Sequence, residues 1–252
     1  MTVDTGQLRH LAGLPDGCGL LETTGFRLTG QVLKQAVECG EIMAVTGKAG
    51  LGKTFAVDYH VRASGHPWVW VQIGPAPRPK EVTSRLLKEI TGGFPKGTLY
   101  ELSDLLVDEL RQNPRIVVID EAQHLGSDGL QQVRYLHDRG ADSFPLVLTG
   151  GEGCAETLQS DPQLADRVGG WVRFEPIPKD RLVGLLAGYH SFYAASDPEL
   201  LLRVDDLYAN GVLRRWARLL KTALALQPSA ARLTPELARA VLAVIKKDPA
   251  QS

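Results

Sequence analysis

Cysteine is scarce in this 252-residue chain, and what there is forms no pattern. The three cysteines, Cys18, Cys39 and Cys154, lie far apart and lack the spacing of metal ligands. We therefore interpret them as small buried or half-buried thiols rather than as a metal site. A sparse and odd number of cysteines is typical of a reducing compartment.

Long apolar runs and an excess of one charge are also missing. No run approaches the length of a membrane span, and the first residues, Met-Thr-Val-Asp-Thr, lack the charged and then apolar pattern of a signal sequence. We expect a soluble, cytoplasmic protein without membrane contact. Because 28 basic residues balance 29 acidic ones, bulk charge alone does not hold the chain on nucleic acid. No helix-turn-helix or zinc module is recognisable.

The strongest pattern present is a complete P-loop, Gly-x-x-x-x-Gly-Lys-Thr. Glycines let the backbone N–H groups point at phosphate oxygens, and the following helix offers its positive end to the same anion. Lys53 is placed to reach the β- and γ-phosphates, and Thr54 to ligate Mg²⁺. The residues predicted to bind ATP are Gly47, Lys48, Ala49, Gly50, Leu51, Gly52, Lys53, Thr54 and Phe55, together with Asp120.

The surroundings of the P-loop fit an α/β fold. An apolar run at 41–46 predicts the strand before the loop, and a helix continues over 54–61 with Phe55, Tyr59 and Val61 toward the sheet. Further strands are predicted at 68–73, 115–120, 144–149 and 170–174, and helical periodicity lies between them. Apolar strands that alternate with helices indicate a mainly parallel sheet covered on both faces.

Beyond residue 177 the pattern is helical only, with segments at 182–193, 198–208, 212–226 and 234–245. A helix is also predicted from Thr29 to Cys39. We therefore predict an N-terminal extension at 1–28, a P-loop NTPase domain at 29–177 and a small all-helical lid at 178–252.

A second motif supplies carboxylates. Four apolar residues precede Asp120 and Glu121, which is the Walker B pattern. The strand carries Asp120 to the edge of the sheet beside the P-loop, where it is expected to hold Mg²⁺ through water. Glu121 is then placed to orient or deprotonate the attacking water. Gln123 and His124 follow; they either sense the γ-phosphate, relay to a partner surface, or are polar residues of an exposed turn.

The order of these motifs resembles the AAA+ ATPases. The P-loop, Asp-Glu-Ala-Gln-His at 120–124, a later strand that ends in Thr149 and an all-helical lid are similar to the group that contains the transposition ATPases (phage Mu B protein, TnsC, TniB) and the secretion ATPase ExeA. The resemblance covers residues 25–226. It implies hydrolysis of ATP with Mg²⁺ in a homo-oligomeric ring or helical filament.

The resemblance also assigns roles to individual residues. Thr149 matches sensor 1, although the family often has this polar residue after a glycine, where this chain has Gly151. Leu-x-x-Arg ending at Arg167 matches the arginine finger, which reaches the γ-phosphate of a neighbouring subunit. The alternative for Arg167 is a surface arginine near Asp161 or Asp166.

The lid contains a further match. Gly211-Val212-Leu213-Arg214 resembles sensor 2, with Arg214 directed at the γ-phosphate and Arg215 as the alternative. Equally, Arg214, Arg218 and Lys221 lie on one face of a helix and fit a plain basic surface.

For function, the resemblance implies a factor that assembles on DNA with ATP and selects a transposition target or activates a transposase. Contact with DNA is expected through backbone phosphates, with Arg78, Lys80 and Lys96 as candidates. Alternatives are an ExeA-like secretion ATPase, a nucleotide-gated signalling switch without DNA, and a small-molecule kinase. Adenine recognition stays open, with Phe26 and Arg27 as candidates by position.

Overall fold

The computed structural model of the protein describes residues 15–140 and 143–246. Residues 1–14 of the predicted extension and 247–252 of the predicted lid lie outside these ranges. The described residues form two compact units. The first comprises Arg27–Ala49 and Lys53–Phe174; the second comprises residues 15–26, Gly50–Gly52 and 175–246. The predicted boundary at residue 177 stays a prediction.

A five-stranded parallel sheet forms the centre of the first unit. Its strands are β1 (Ile42–Gly47), β2 (Trp68–Gln72), β3 (Ile116–Asp120), β4 (Leu146–Thr149) and β5 (Val168–Phe174). They lie side by side in the order β2-β3-β4-β1-β5, and every pair is parallel. Strands β3 and β4 are buried along their whole length, as expected of short Val, Ile and Leu runs covered on both faces. The predicted α/β class is confirmed.

Helices accompany the strands. They are α1 (Thr24–Cys39), α2 (Lys53–Ala63), α3 (Pro79–Thr91), α4 (Leu99–Gln112), α5 (Ser127–Gly140), α6 (Cys154–Gln159) and α7 (Pro162–Ala165), with a 3₁₀ turn at Ala122–His124. Helix α4 starts at a capping box, because Thr98 and Glu101 satisfy each other's backbone N–H groups. Helix α1 starts before the predicted Thr29, since the hydroxyl of Thr23 accepts the N–H of Phe26.

The buried face of α2 differs from the predicted one. Ala56, Val57 and Val61 are buried, whereas Phe55 and Tyr59 are only half-buried. Lys53 shares the buried face, since residues four apart lie one above another on a helix. Phe55 and Tyr59 thus lie off the buried face, and the predicted orientation of these two side chains toward the sheet was wrong.

The second unit is helical in its described part. It contains α8 (Lys179–Tyr189), α9 (Ser191–Ala194), α10 (Pro198–Val204), α11 (Leu213–Leu226) and α12 (Pro235–Lys246), with a π-helical turn at Asp205–Ala209. The helix predicted over 182–193 is broken at His190, whose backbone is extended and whose Nδ1 accepts the N–H of Phe192. Trp216 is fully buried in this unit, and its carbonyl accepts the hydroxyl of Tyr193 at 2.7 Å.

Candidate nucleotide site

The P-loop adopts the backbone that its glycines permit. Gly47, Gly50 and Gly52 all have positive φ angles, of 137°, 82° and 98°. At Gly47 a side chain is also excluded by space, because a Cβ atom would lie 2.5 Å from the carbonyl oxygen of Phe174. Lys53 is 7% exposed, and its Nζ donates to the carbonyl of Lys48 at 2.7 Å. The lysine is thus folded back onto its own loop.

The ends of β3 and β4 bring Asp120 and Thr149 together. These residues are register partners on adjacent strands, and Thr149 is also the partner of Val45 on β1. Asp120 is 8% exposed, and its Oδ1 accepts the N–H of Glu121 at 2.9 Å. The side chains proposed for Mg²⁺ and for sensor 1 therefore start from neighbouring positions at the carboxyl edge of the sheet.

Thr149 carries an unusual hydroxyl. The residue is fully buried, and its Oγ1 has no hydrogen-bond partner among the described residues. An unpaired buried hydroxyl costs about 1–3 kcal/mol, so native structures rarely contain one without a reason. At the end of a central strand, beside Asp120, this atom is suited to a polar group that arrives with a ligand.

Glu121 directly follows β3 in a strained conformation. Its φ and ψ angles are 59° and 39°, the left-handed region that residues other than glycine rarely adopt. Such strain costs on the order of 1–3 kcal/mol and is concentrated at functional sites. The left-handed backbone turns the chain away from β3 at Glu121, the residue predicted to orient or deprotonate the attacking water.

Gln123 and His124 have contacts that no local pattern indicated. The side-chain amide of Gln123 donates from Nε2 to the Glu121 carboxylate, and its Oε1 accepts the N–H of Gly151 at 2.9 Å. Nδ1 of His124 lies 3.0 Å from the carbonyl oxygen of Ile73, just after β2. Both side chains are half-buried, so the alternative of an exposed turn was wrong.

Cys154 lies among the charges of this site. Burial raises the pKa of its thiol to about 12, an effect that the nearby Lys53 opposes and that Glu121 and Asp120 reinforce. The thiol is therefore protonated at neutral pH and unreactive as a nucleophile. The interpretation of the cysteines as buried or half-buried thiols is right for Cys154 and Cys18 and wrong for Cys39, which is exposed.

Arg167 is engaged within the chain. Its Nε lies 2.6 Å from Oδ1 of Asp138, and its Nη1 donates to the carbonyl of Gln163 at the same distance. The alternative of a surface arginine near Asp161 or Asp166 stays open, but the ion pair that forms is with Asp138, while Asp161 caps α7 and pairs with Arg134. Arg167 and Asp138 are each about 40% exposed at the side chain, so solvent reaches the pair.

In the second unit, Arg214 and Arg215 have different surroundings. Arg215 donates to the carbonyl of Tyr208 at 2.8 Å and lies over its ring. Arg214 is exposed, its side chain has no hydrogen bond or ion pair with a described residue, and its backbone N–H donates to the carbonyl of Gly50 at 3.0 Å. Of the two candidates for sensor 2, only Arg214 has an uncommitted side chain.

Asp205 is a residue that sequence reasoning missed. It is buried, and its Oδ1 accepts the N–H of Gly211 at 2.7 Å and the indole N–H of Trp216 at 3.1 Å. The turn that leads into α11 and to Arg214 is therefore anchored by a buried carboxylate. No sequence pattern singled it out, because its partners are contributed by the turn and by the next helix.

The remaining candidates are placed as follows. Phe26 is buried, whereas Arg27 is exposed. Arg78, Lys80 and Lys96 are all exposed, at and near the two ends of α3. The side chains of Arg78 and Lys96 make no hydrogen bond or ion pair with described residues. The pKa of Glu101 is lowered mainly by the hydrogen bond from the Thr98 backbone, and the charge of Lys80 contributes to the same effect.

The donor set suits Mg²⁺ held together with a nucleotide. The described residues contain no group of three or more His, Cys, Asp or Glu side chains that could hold a metal ion unaided. Mg²⁺ is usually bound by one or two protein oxygens together with phosphates and waters. The hydroxyl of Thr54, in the first turn of α2, and the carboxylate of Asp120 are donors of this kind.

No helix in the described ranges has the length and apolarity to cross a membrane.

Comparison with known proteins gives three kinds of match. Residues 38–158 match the model of the AAA domain family. The ATP-dependent target DNA activator B of Escherichia phage D108 is 25% identical over 165 residues, which is 62% of this chain and 53% of the phage protein. The chain thus spans about half the length of this curated relative.

Solved structures share the fold. The ORC2 protein of Aeropyrum pernix, solved as ADPNP–ADP complexes, matches with a TM-score of 0.65 and 18% identity over 91% of this chain and 69% of its own. Cdc6p of Pyrobaculum aerophilum matches with a TM-score of 0.70 and 20% identity, over 93% and 69%. The ORC1 protein of Aeropyrum pernix in complex with DNA matches with 0.64 and 22%, over 93% and 67%. By its match to the AAA domain family over residues 38–158, its sheet order and its phage relative, the chain resembles the AAA+ ATPases and, among them, the transposition ATPases.

Proposed function

We propose that the protein binds and hydrolyses ATP, assembles on DNA in an ATP-dependent way, and acts as a target-selecting or transposase-activating factor in transposition. The observation that carries the catalytic part is the meeting of Asp120, Glu121 and Thr149 at the carboxyl edge of the sheet. The DNA part is supported by the likeness to the phage ATP-dependent target DNA activator. We also propose the cytoplasm as its location.

The chemistry assigns a task to each group. Backbone N–H groups from Gly47 onward would cradle the phosphates, and Lys53, which now donates to the carbonyl of Lys48, would turn to the β- and γ-phosphates, whose charge makes them stronger acceptors than a neutral carbonyl. Thr54 and Asp120 would hold Mg²⁺, which neutralises charge on the phosphates when bound. Glu121 would orient or deprotonate the attacking water.

Three further groups would respond to the γ-phosphate. For Thr149 this role is supported by the buried hydroxyl, which has no hydrogen-bond partner among the described residues. For Arg214 it is supported by an exposed guanidinium that makes no hydrogen bond or ion pair with a described residue. Arg167 would act in a neighbouring subunit of a homo-oligomer, as a ring or a helical filament. A planar guanidinium in that position offsets charge on the transferred phosphoryl group.

Contact with DNA would use backbone phosphates. Arg78 and Lys96 support this proposal because they are exposed cations whose side chains make no hydrogen bond or ion pair with a described residue. The near-neutral net charge means that such binding depends on a local patch and weakens as salt rises. A transposase is the proposed protein partner.

Binding of the full chain to a double-stranded DNA fragment at low salt tests the proposal, with ATP, ADP or no nucleotide. We expect binding with ATP only, loss of binding in Lys53→Ala, and normal binding in the matched control Lys34→Ala on the exposed face of α1. Filament or ring formation would be followed by electron microscopy.

Two results would contradict the proposal. Equal DNA binding with and without ATP would separate the nucleotide site from assembly. Tight ATP binding without turnover and without DNA binding would instead favour a nucleotide-gated switch.

A further inference from the structure

A chain of two hydrogen bonds joins Glu121 to the loop after β4. Gln123 donates from Nε2 to the Glu121 carboxylate and accepts the N–H of Gly151 at Oε1, 2.9 Å away. All three residues belong to the first unit. The loop that Gln123 contacts begins directly after Thr149, the residue proposed to respond to the γ-phosphate.

The direction of this chain is determined by its far end. A backbone N–H can only donate, so the oxygen of the Gln123 amide faces Gly151 and the nitrogen is left to face Glu121. The Glu121 carboxylate accepts only, which fits the same assignment. The amide therefore has one orientation that satisfies both neighbours, and no tautomer or ionisation is needed to explain it.

Steric contacts hold the chain in place. At Gly150 an added Cβ atom would lie 2.3 Å from Oε1 of Gln123 and 2.6 Å from Sγ of Cys154. The backbone N–H of Gly150 donates to the carbonyl of Val45 on β1 at 3.1 Å. The loop is thus pinned to the central strand on one side and to Gln123 on the other, and only glycine permits the close approach.

Glu121 depends on this support more than a residue within a strand would. Its backbone is in the left-handed region, so neither strand nor helix geometry directs its side chain. A carboxylate that must align a water molecule loses much of its effect when misplaced by about 1 Å, which can cost on the order of 100-fold in rate.

We propose that Gln123 is a positioning residue that orients the Glu121 carboxylate and ties its orientation to the loop after β4. This inference rests on the proposed hydrolysis of ATP, since it assigns a role in that reaction. A simpler role, in which Gln123 only anchors the loop through Gly151, makes a different prediction for one substitution.

Two substitutions separate these roles. Gln123→Glu keeps an oxygen for the Gly151 N–H but replaces the donor toward Glu121 by a second carboxylate. Gln123→Met keeps the length of the side chain and loses both hydrogen bonds. Gln131→Glu on the exposed face of α5 is the matched control for added charge.

We expect the kcat of ATP hydrolysis to fall about 10- to 100-fold in both Gln123 variants, with the KM for ATP within about twofold of wild type. Hydrogen exchange of the Gly151 amide, followed by NMR after ¹⁵N-glycine labelling, should accelerate in Gln123→Met and stay slow in Gln123→Glu. In the background of Glu121→Gln, the Gln123→Glu change should slow turnover no further, because the group it orients is already gone.

A Gln123→Glu variant that hydrolyses ATP at the wild-type kcat, with the Gly151 amide protected, would overturn the proposal in favour of simple loop anchoring. Equal exchange of the Gly151 amide in wild type and Gln123→Met would overturn it as well, by removing the bond to the loop. Absence of turnover in the wild-type chain with DNA would instead defeat the proposed hydrolytic function, while the exchange data would still report on the hydrogen bonds.

Discussion

The unpaired hydroxyl of Thr149 leads to a prediction in which stability and activity change in opposite directions. Valine has nearly the shape of threonine, so Thr149→Val removes the hydroxyl and leaves the packing of β4 intact. The residue is 0% exposed and its Oγ1 has no partner among the described residues. Because a buried unsatisfied hydroxyl costs about 1–3 kcal/mol, the free energy of unfolding without nucleotide should rise by about that amount.

The same substitution should impair turnover. If the hydroxyl donates to a group that gains charge in the reaction, its loss should lower kcat by on the order of 10²-fold, in the range seen for single donors of this kind. A rise of about 1 kcal/mol corresponds to roughly 2–4 °C in the melting temperature of a chain of this size. Thermal unfolding without nucleotide and steady-state ATP hydrolysis measure the two effects.

Thr83→Val is the matched control. Thr83 is also 0% exposed, but its Oγ1 accepts from Nε2 of Gln132 at 3.0 Å and lies 3.3 Å from the carbonyl of Pro79. Removing this hydroxyl takes an acceptor from a buried amide, so the melting temperature should fall. If Thr149→Val lowers the melting temperature as Thr83→Val does, or leaves kcat unchanged, the reasoning is refuted.

Four further predictions concern single residues. Glu121→Gln should bind ATP and assemble on DNA but hydrolyse ATP at least about 100-fold more slowly in a phosphate-release assay, and normal turnover would remove Glu121 from the mechanism. Arg167→Ala should lower hydrolysis at protein concentrations where subunits meet and have no effect below them, which a concentration series of the specific rate measures. Arg214→Ala should reduce turnover by at least tenfold while Arg215→Ala mainly lowers the melting temperature, because of the two side chains only that of Arg215 has a hydrogen-bond partner among the described residues; the reverse order would exchange their roles. For Cys154, burial raises the thiol pKa from 9.0 to about 12, so the folded chain keeps a proton that the unfolded chain releases, and stability falls as pH rises from 9 to 12. The free energy of unfolding from urea titrations should therefore decrease with pH less steeply in Cys154→Ala than in the wild type, by up to about 1.4 kcal/mol per pH unit. An equal pH dependence in the two proteins would contradict the prediction.

The sequence predicted the sheet well because parallel strands leave a plain signal. The buried runs at 116–119 and 146–148 are Val, Ile and Leu without interruption, and the structure buries them on both faces. The P-loop could be predicted equally well, because the positive φ angles at its glycines are determined by the motif itself. These features are local, so the residues that determine them are adjacent in the chain.

What sequence reasoning missed depends on contacts of particular side chains, which hydrophobic periodicity does not register. The break at His190 arises from a side chain that caps the next helix, although apolar periodicity continues through it. The anchor at Asp205 needs both a π-helical turn and the indole of Trp216. The contact of Gln123 with Gly151 joins residues 28 positions apart, and the periodicity of either segment gives no sign of it.

The ion pair of Arg167 shows why contacts within one chain do not decide between the two interpretations of this residue. With the side chains of Arg167 and Asp138 about 40% exposed, water screens the pair, and such pairs contribute about 0–1 kcal/mol. A triphosphate offers an arginine bidentate, charge-assisted hydrogen bonds that are stronger than this. Pairing with Asp138 is therefore compatible with transfer of the guanidinium to the nucleotide of a neighbouring subunit. It follows that only a measurement on assembled protein distinguishes an arginine finger from a surface arginine, and for this reason the prediction for Arg167→Ala is a dependence on concentration.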